Sequence, residues 1–132
     1  MDDTLKQLER FHGHLGPYVV IGYKMGEIAN QILGSDSFSK KALVSTGNKP
    51  PMSCIIDGIQ MSSGCTLGKG NIKVNPDCVP KARFSGNNGK HVEIILKPNI
   101  KEEIDSLVTY ENIVSFSEQL YNRSNQELFE II

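Results

Sequence analysis

A chain of 132 residues, 39% hydrophobic and 22% charged, is long enough for one domain with its own core and too ordinary in composition for a disordered or fibrous protein. Fourteen basic against fifteen acidic side chains leave a net charge of −1, so no global field favours nucleic acid or an anionic membrane; Lys40-Lys41 and Lys81-Ala82-Arg83 read as short solvated patches. No apolar run reaches the ~20 residues of a membrane helix, and the acidic start Met1-Asp2-Asp3 leads into no signal-peptide core, so a cytoplasmic protein without membrane or nucleic-acid partners is expected.

Asp3 or Thr4 caps a first helix carrying Leu5 and Leu8 on one side, which ends at the glycine-containing segment Phe11–Leu15. Pro17 suits the first turn of a second helix, in which Val20, Ile21, Met25, Ile28, Ile32 and Leu33 recur at helical spacing until Gly34 stops it. His12-Gly13-His14 thus precedes a helix N-terminus, where free N–H groups and the positive dipole end favour an anion or a metal-bound hydroxide. Ala42–Thr46 reads as a short strand, followed by a loop through Gly47, Asn48, Pro50 and Pro51.

From about Met52 to Ser63 the pattern favours a helix, with a strand left open by Ile55, Ile56 and Ile59. On a helix, Cys54, Asp57 and Met61 share one face while the three isoleucines turn towards a core. Gly64 ends it and delivers Cys65 into a glycine-rich loop. Asn71–Val74 begins a strand, and residues 81–85 and 90–97 make a hairpin around Gly86-Asn87-Asn88-Gly89, with Val92, Ile94 and Leu96 on its buried face. Two helices, roughly 100–107 and 110–122, and a short helical tail complete a single domain over residues 1–132. The order predicts an α+β fold with an antiparallel or mixed sheet packed with helices.

Chemistry concentrates in two segments. Phe11-His12-Gly13-His14 and the run from Cys54 to Gly70 hold two of the three histidines and two of the three cysteines, together with Asp57, Gln60 and Lys69. Imidazole nitrogen and thiolate sulfur suit Zn²⁺ and other late transition metals. An odd number of cysteines fits reduced thiols better than a disulfide framework. The spacing of eleven between Cys54 and Cys65 is no zinc-finger signature, so on residues alone packing in the core competes with ligation for both. Gly64-Cys65-Thr66-Leu67-Gly68-Lys69-Gly70 fails as a phosphate loop, because its glycines are one residue too close and Gly70 replaces the required Ser or Thr. Lys69 among glycine N–H groups remains suited to a carboxylate or phosphate.

Phe11-His12-Gly13-His14, followed by Cys54-x-x-Asp57-Gly58-Ile59-Gln60 and Gly64-Cys65-Thr66-x-Gly68-Lys69-Gly70-Asn71, resembles the FmdE family, named for its association with formylmethanofuran dehydrogenase, over roughly residues 8–97. The chain resembles the family's core domain without the C-terminal zinc ribbon that many relatives carry, since it has no Cys-x-x-Cys pair.

The resemblance implies a metal-binding cleft in the setting of formylmethanofuran dehydrogenase-type one-carbon metabolism, as in methanogenesis. Its ligand set would be His14, Cys54 and Cys65, with His12 as partner or alternate; Zn²⁺ is expected, with Ni²⁺, Fe²⁺ and Co²⁺ open. Asp57 is then either a general base or the group that orients a ligand histidine, with a local bond to loop N–H groups as the structural alternative. Lys69 would hold an anionic group, Gln60 would organise the glycine loop, and Cys78, outside the motifs, would be inert. Whether the chain is an enzyme or a non-catalytic accessory subunit stays open. Dehydrogenase subunits are implied partners, and a homodimer is implied by the family and by the apolar tail Leu128-Phe129-Glu130-Ile131-Ile132. One departure stands out: relatives commonly continue His-Gly-His-x-Cys-Pro-Gly, whereas this chain has Gly16 at the cysteine position and Pro17-Tyr18 after it.

Overall fold

A computed structural model describes residues 1–132. Helix α1 (Asp3–His12) is capped by Asp2, whose side chain accepts from the Thr4 N–H, one residue earlier than expected. It turns Leu5 and Leu8 into the core and stops at Gly13, whose φ of 105° lies in the left-handed region that only glycine adopts at little cost. Helix α2 (Pro17–Leu33) begins at Pro17 and ends at Gly34 as its pattern requires, and Val19, Val20, Ile21, Met25 and Ala29 are fully buried along it.

Strand β1 (Lys40–Val44) starts two residues before the expected segment. It leads through the Pro50–Pro51 loop, whose peptide bond is cis, to helix α3 (Cys54–Ser63). Ile55 and Ile59 of α3 are fully buried, whereas Ile56 is half-buried and turns towards a surface cavity. Helices α2 and α3 lie backbone to backbone. A Cβ at Gly22 would overlap the Ile55 carbonyl, and one at Gly58 would overlap the Val19 carbonyl and the Tyr23 N–H, so both positions need glycine.

After a 3-10 turn at Leu67–Lys69 come β2 (Ile72–Val74), β3 (Lys81–Gly86) and β4 (His91–Leu96), then α4 (Pro98–Leu107), α5 (Ile113–Asn122), α6 (Asn125–Leu128) and β5 (Phe129–Ile131). The sheet order is β2-β1-β3-β4-β5, mixed because β1 and β2 run parallel while the remaining pairs are antiparallel. Its inner face contributes Ala42, Val44, Ile72, Ala82, Phe84, Val92, Ile94 and Leu96 to a core of 26 residues, against which α2 packs.

Two expectations change. The C-terminal tail forms a fifth strand, so Leu128 and Phe129 are buried against the chain's own sheet and only Ile131 and Ile132 remain exposed; two of the residues taken for a dimer contact are core. Lys40 is not solvated surface: it is buried, and its ammonium donates to the carbonyls of Gly34 and Asp36 at 2.9 Å each. Lys24, buried within α2, donates likewise to Tyr121 and Arg123 at 2.8 Å, neutralising carbonyls at the C-terminal end of α5. A short window of sequence cannot reveal such carbonyl acceptors. No helix is long and apolar enough to cross a membrane.

Candidate functional site

The junction between α1 and α2 presents both motif histidines. His12 is the last residue of α1, the left-handed Gly13 reverses the chain, and His14 precedes the extended Gly16 that caps α2. Their rings lie 5.0 Å apart between centroids, tilted by 42°. His12 Nδ1 stands 2.6 Å from Asp57 Oδ2, across 45 residues of sequence. The His12 side chain is 10% exposed and the Asp57 side chain 39%, so the bond shields the imidazole while the carboxylate keeps contact with water.

Asp57 sits in the first turn of α3, one turn after Cys54, and that spacing points both side chains the same way. His12, Cys54 and Asp57 line one cavity of about 300 Å³, closed by Asn48, Pro50, Ser53 and Ile56. With Nδ1 donating to the carboxylate, His12 keeps Nε2 as a free lone pair, the tautomer in which imidazole ligates metals or takes up a proton. Burial, reinforced by the Asp57 charge, pushes the Cys54 thiol above its ordinary 9.0, so it carries its proton at neutral pH unless a cation enters the cavity.

Gly16 belongs to the same corner. A Cβ there would stand 3.0 Å from His14 Cε1, so the cysteine that the family commonly carries at this position would lie against the His14 ring. His14 itself is exposed and makes no side-chain hydrogen bond to another residue.

Cys65 and Lys69 are elsewhere. Cys65 follows the opposite end of α3, roughly 16 Å along the axis from Cys54 at 1.5 Å per residue. It is fully buried, its backbone N–H donates to Ser63 Oγ at 3.0 Å, and burial raises its thiol against the opposing effects of that hydroxyl, Lys40 and Lys69. Lys69 Nζ donates to Thr66 Oγ1 at 2.9 Å and lies 5.6 Å from the centre of the Phe38 ring, in the same distal loop. No group of three or more His, Cys, Asp and Glu side chains converges in an arrangement that would hold a metal ion. The donors that do meet are His12 and Cys54, with His14 beside them, a nitrogen and sulfur set suited to late transition metals.

Gln60 does organise the glycine loop, its Oε1 accepting from the Leu67 N–H at 2.9 Å. Cys78 is an exposed loop thiol with a φ of 55°. Sequence reasoning passed over Asn48 and Ser53, polar groups that the Pro50–Pro51 loop carries into the cavity; their only sequence signal is their place just before the helix that bears Cys54 and Asp57. It also passed over Tyr18, whose buried hydroxyl donates to Asp105 at 2.6 Å and ties α2 to α4. These two residues border a second cavity of about 360 Å³ on the Pro51 side of the loop.

Comparison with known proteins places this geometry in context. Residues 11–130 match a family model described as "FmdE, Molybdenum formylmethanofuran dehydrogenase operon". A crystal structure of an FmdE-like protein of tungsten formylmethanofuran dehydrogenase, from Syntrophus aciditrophicus, superposes with a TM-score of 0.72 over 98% of this chain and 69% of that one, at 20% identity, a likeness of fold. A probable S-adenosyl-L-methionine-binding protein from Archaeoglobus fulgidus is 34% identical over 73 residues, which cover 52% of this chain; the matched part spans 19% of that relative's length.

Proposed function

This chain belongs to the FmdE family, and from that premise we propose that it is a transition-metal-binding domain whose cleft is built by His12, His14 and Cys54 and set by Asp57, acting beside formylmethanofuran dehydrogenase-type one-carbon chemistry. The observation that carries the reading is the 2.6 Å contact between His12 Nδ1 and Asp57 in the cavity that also holds Cys54. A carboxylate on one imidazole nitrogen is the usual support for a metal on the other. The donor set suits Zn²⁺ first, with Ni²⁺, Fe²⁺ and Co²⁺ as alternatives. A bound divalent ion would supply Lewis-acid polarisation of a carbonyl or formyl oxygen.

The protein's own share is to hold and shape. Asp57 keeps the His12 proton on Nδ1 and orients the ring, which makes it a positioning group rather than a free base. Cys54 offers sulfur from a partly desolvated position, and Asn48 and Ser53 give a small ligand polar contacts across the cavity. In this reading Cys65 and Lys69 contribute through the distal loop, not through the ion's ligand shell.

Metal content by mass spectrometry, on protein purified without chelator, tests this directly. About one equivalent of a single metal per chain is expected, lost in Cys54→Ser and in His12→Ala. A metal-free protein, or a metal that both variants retain, would remove the reading.

A second reading is a non-catalytic accessory subunit with a reduced site. It is favoured by Gly16, which leaves the His14 ring without the neighbouring thiol common in the family. Dehydrogenase subunits should then co-purify from native lysate with the Cys54→Ser variant as well as with the parent chain. The family also supports a homodimer, for which light scattering should give twice the 14.6 kDa of one chain.

A further inference from the structure

The face of the sheet turned away from the core carries a second, unrelated feature. A groove of about 260 Å³ runs over β1 between β2 and β3, lined by Lys41, Leu43, Lys73, Arg83 and Ser85 with the Gly70-Asn71 backbone at one end, and no carboxylate lines it. Strand register sets the spacing. Leu43 pairs with Arg83 on one side and Lys73 on the other, so these three form a row across the sheet, and Lys41 faces Ser85 in the next row on that face. Two strand spacings separate Arg83 from Lys73 by roughly 9–10 Å, and Lys41 lies roughly 7 Å along β1 from Leu43. Three cations therefore ring an area matching one diphosphate, with the half-exposed Leu43 as its floor.

None of the three cations is spoken for. The ion pairs of the chain use His12, Lys81, Lys101 and Arg123. Glu93, the cross-strand neighbour of Arg83, contacts Lys81 at 3.9 Å instead. Lysines often protect sheet edges from mispairing, and Lys73 on the edge strand β2 fits that role. Lys41 and Arg83 are on interior strands, where edge protection does not explain them. The whole chain carries a net charge of −1, so the cluster is local rather than a share of a general excess.

We propose that this groove binds a phosphate-bearing small molecule, its diphosphate or phosphate ester bridging Lys41, Lys73 and Arg83 while an organic portion rests on Leu43. Arg83 supplies a planar fork of donors suited to paired phosphate oxygens, and the two ammonium groups supply charge from the other side. The site shares no residue with the His12–Cys54 cavity and stands independently of the metal.

The test is an amide-resolved NMR titration of the full chain at low ionic strength with inorganic pyrophosphate, and in parallel with adenosine 5′-diphosphate. Saturable shifts are expected at Lys41–Leu43, Lys73 and Arg83–Ser85, weakening as salt rises. Arg83→Gln and Lys73→Gln should each weaken binding about tenfold, as loss of a charge-assisted contact does. Spectra unchanged away from the groove will show that these surface variants fold, and Cys54→Ser should bind as the parent does. Tighter binding of the nucleotide would assign the organic portion to Leu43, whereas equal binding would confine recognition to the phosphates. The proposal is overturned if neither compound gives saturable shifts at millimolar concentration, or if the double variant Lys73→Gln/Arg83→Gln binds undiminished. Shifts of these amides by a single-stranded oligonucleotide, with none from pyrophosphate, would overturn it in favour of a nucleic-acid surface.

Discussion

Cys54 shows how a residue's chemistry depends on what surrounds it. Its thiol is held above the ordinary 9.0 by burial and then by Asp57, so in the metal-free protein it binds a proton throughout the neutral range. A metal needs the thiolate, and loading must therefore displace that proton. Calorimetric titration of the apo-protein near pH 7 in buffers of different ionisation enthalpy should show about one more proton released by the parent than by Cys54→Ser, with affinity rising as pH rises. Equal release would mean that Cys54 is not a ligand. Gly16 gives the complementary test. A cysteine there would place its Cβ against the exposed His14 ring, which has room to turn aside, and the extended φ of −134° suits any residue. Gly16→Cys should raise metal affinity roughly tenfold or more by adding a sulfur donor, read in a chelator competition.

Among the elements, α2 and α3 decide where the site lies. Their close approach depends on the bare backbones of Gly22 and Gly58 and brings the first turn of α3 under the α1–α2 junction. Gly58→Ala gains helix propensity of about 1 kcal/mol, but its Cβ would meet the backbone of Val19 and Tyr23, which cannot move aside as a side chain can. A net loss of about 2 kcal/mol is expected, seen as a lower denaturation midpoint at unchanged slope. The tie between α2 and α4 is electrostatic. Burial alone would raise Asp105, but hydrogen bonds from Lys101 and Tyr18 and the Lys101 charge outweigh it, so its carboxyl sits below its ordinary 3.8. A depressed carboxyl pKa contributes stability above the unfolded value and loses it as pH falls through the folded one. Asp105→Asn should therefore lower the melting temperature at neutral pH and flatten its fall on acidification below pH 3.8.

At the scale of the molecule, the tail closes the sheet. Phe129 pairs with Leu96, and both are buried with Leu128, so the last strand belongs to the core rather than to a partner. Phe129→Ala should cost about 3 kcal/mol in chemical denaturation, and it should leave the oligomeric state by light scattering as in the parent. A change of oligomer with little loss of stability would return the tail to the role of a contact between copies. The short apolar segment was hard to read because three residues carry too little periodicity to separate a strand from a helical tail.

Much of the fold was legible because it is written locally. Pro17 and Gly34 bound α2, Gly64 ends α3, and alternation marks Val92, Ile94 and Leu96 as the inner face of β4, each through backbone preference or side-chain period within a few residues. The motifs also located the candidate residues, since imidazole, thiol and carboxylate are legible by type. Only the tertiary structure decided which of them meet. Ten residues of helix carry Cys65 and Lys69 to the far end of α3, while a turn at Gly13 and the glycine contact between α2 and α3 bring His12 to Asp57 across 45 positions of sequence. Distance along a chain sets an upper limit on separation in space and nothing more; packing determines the rest.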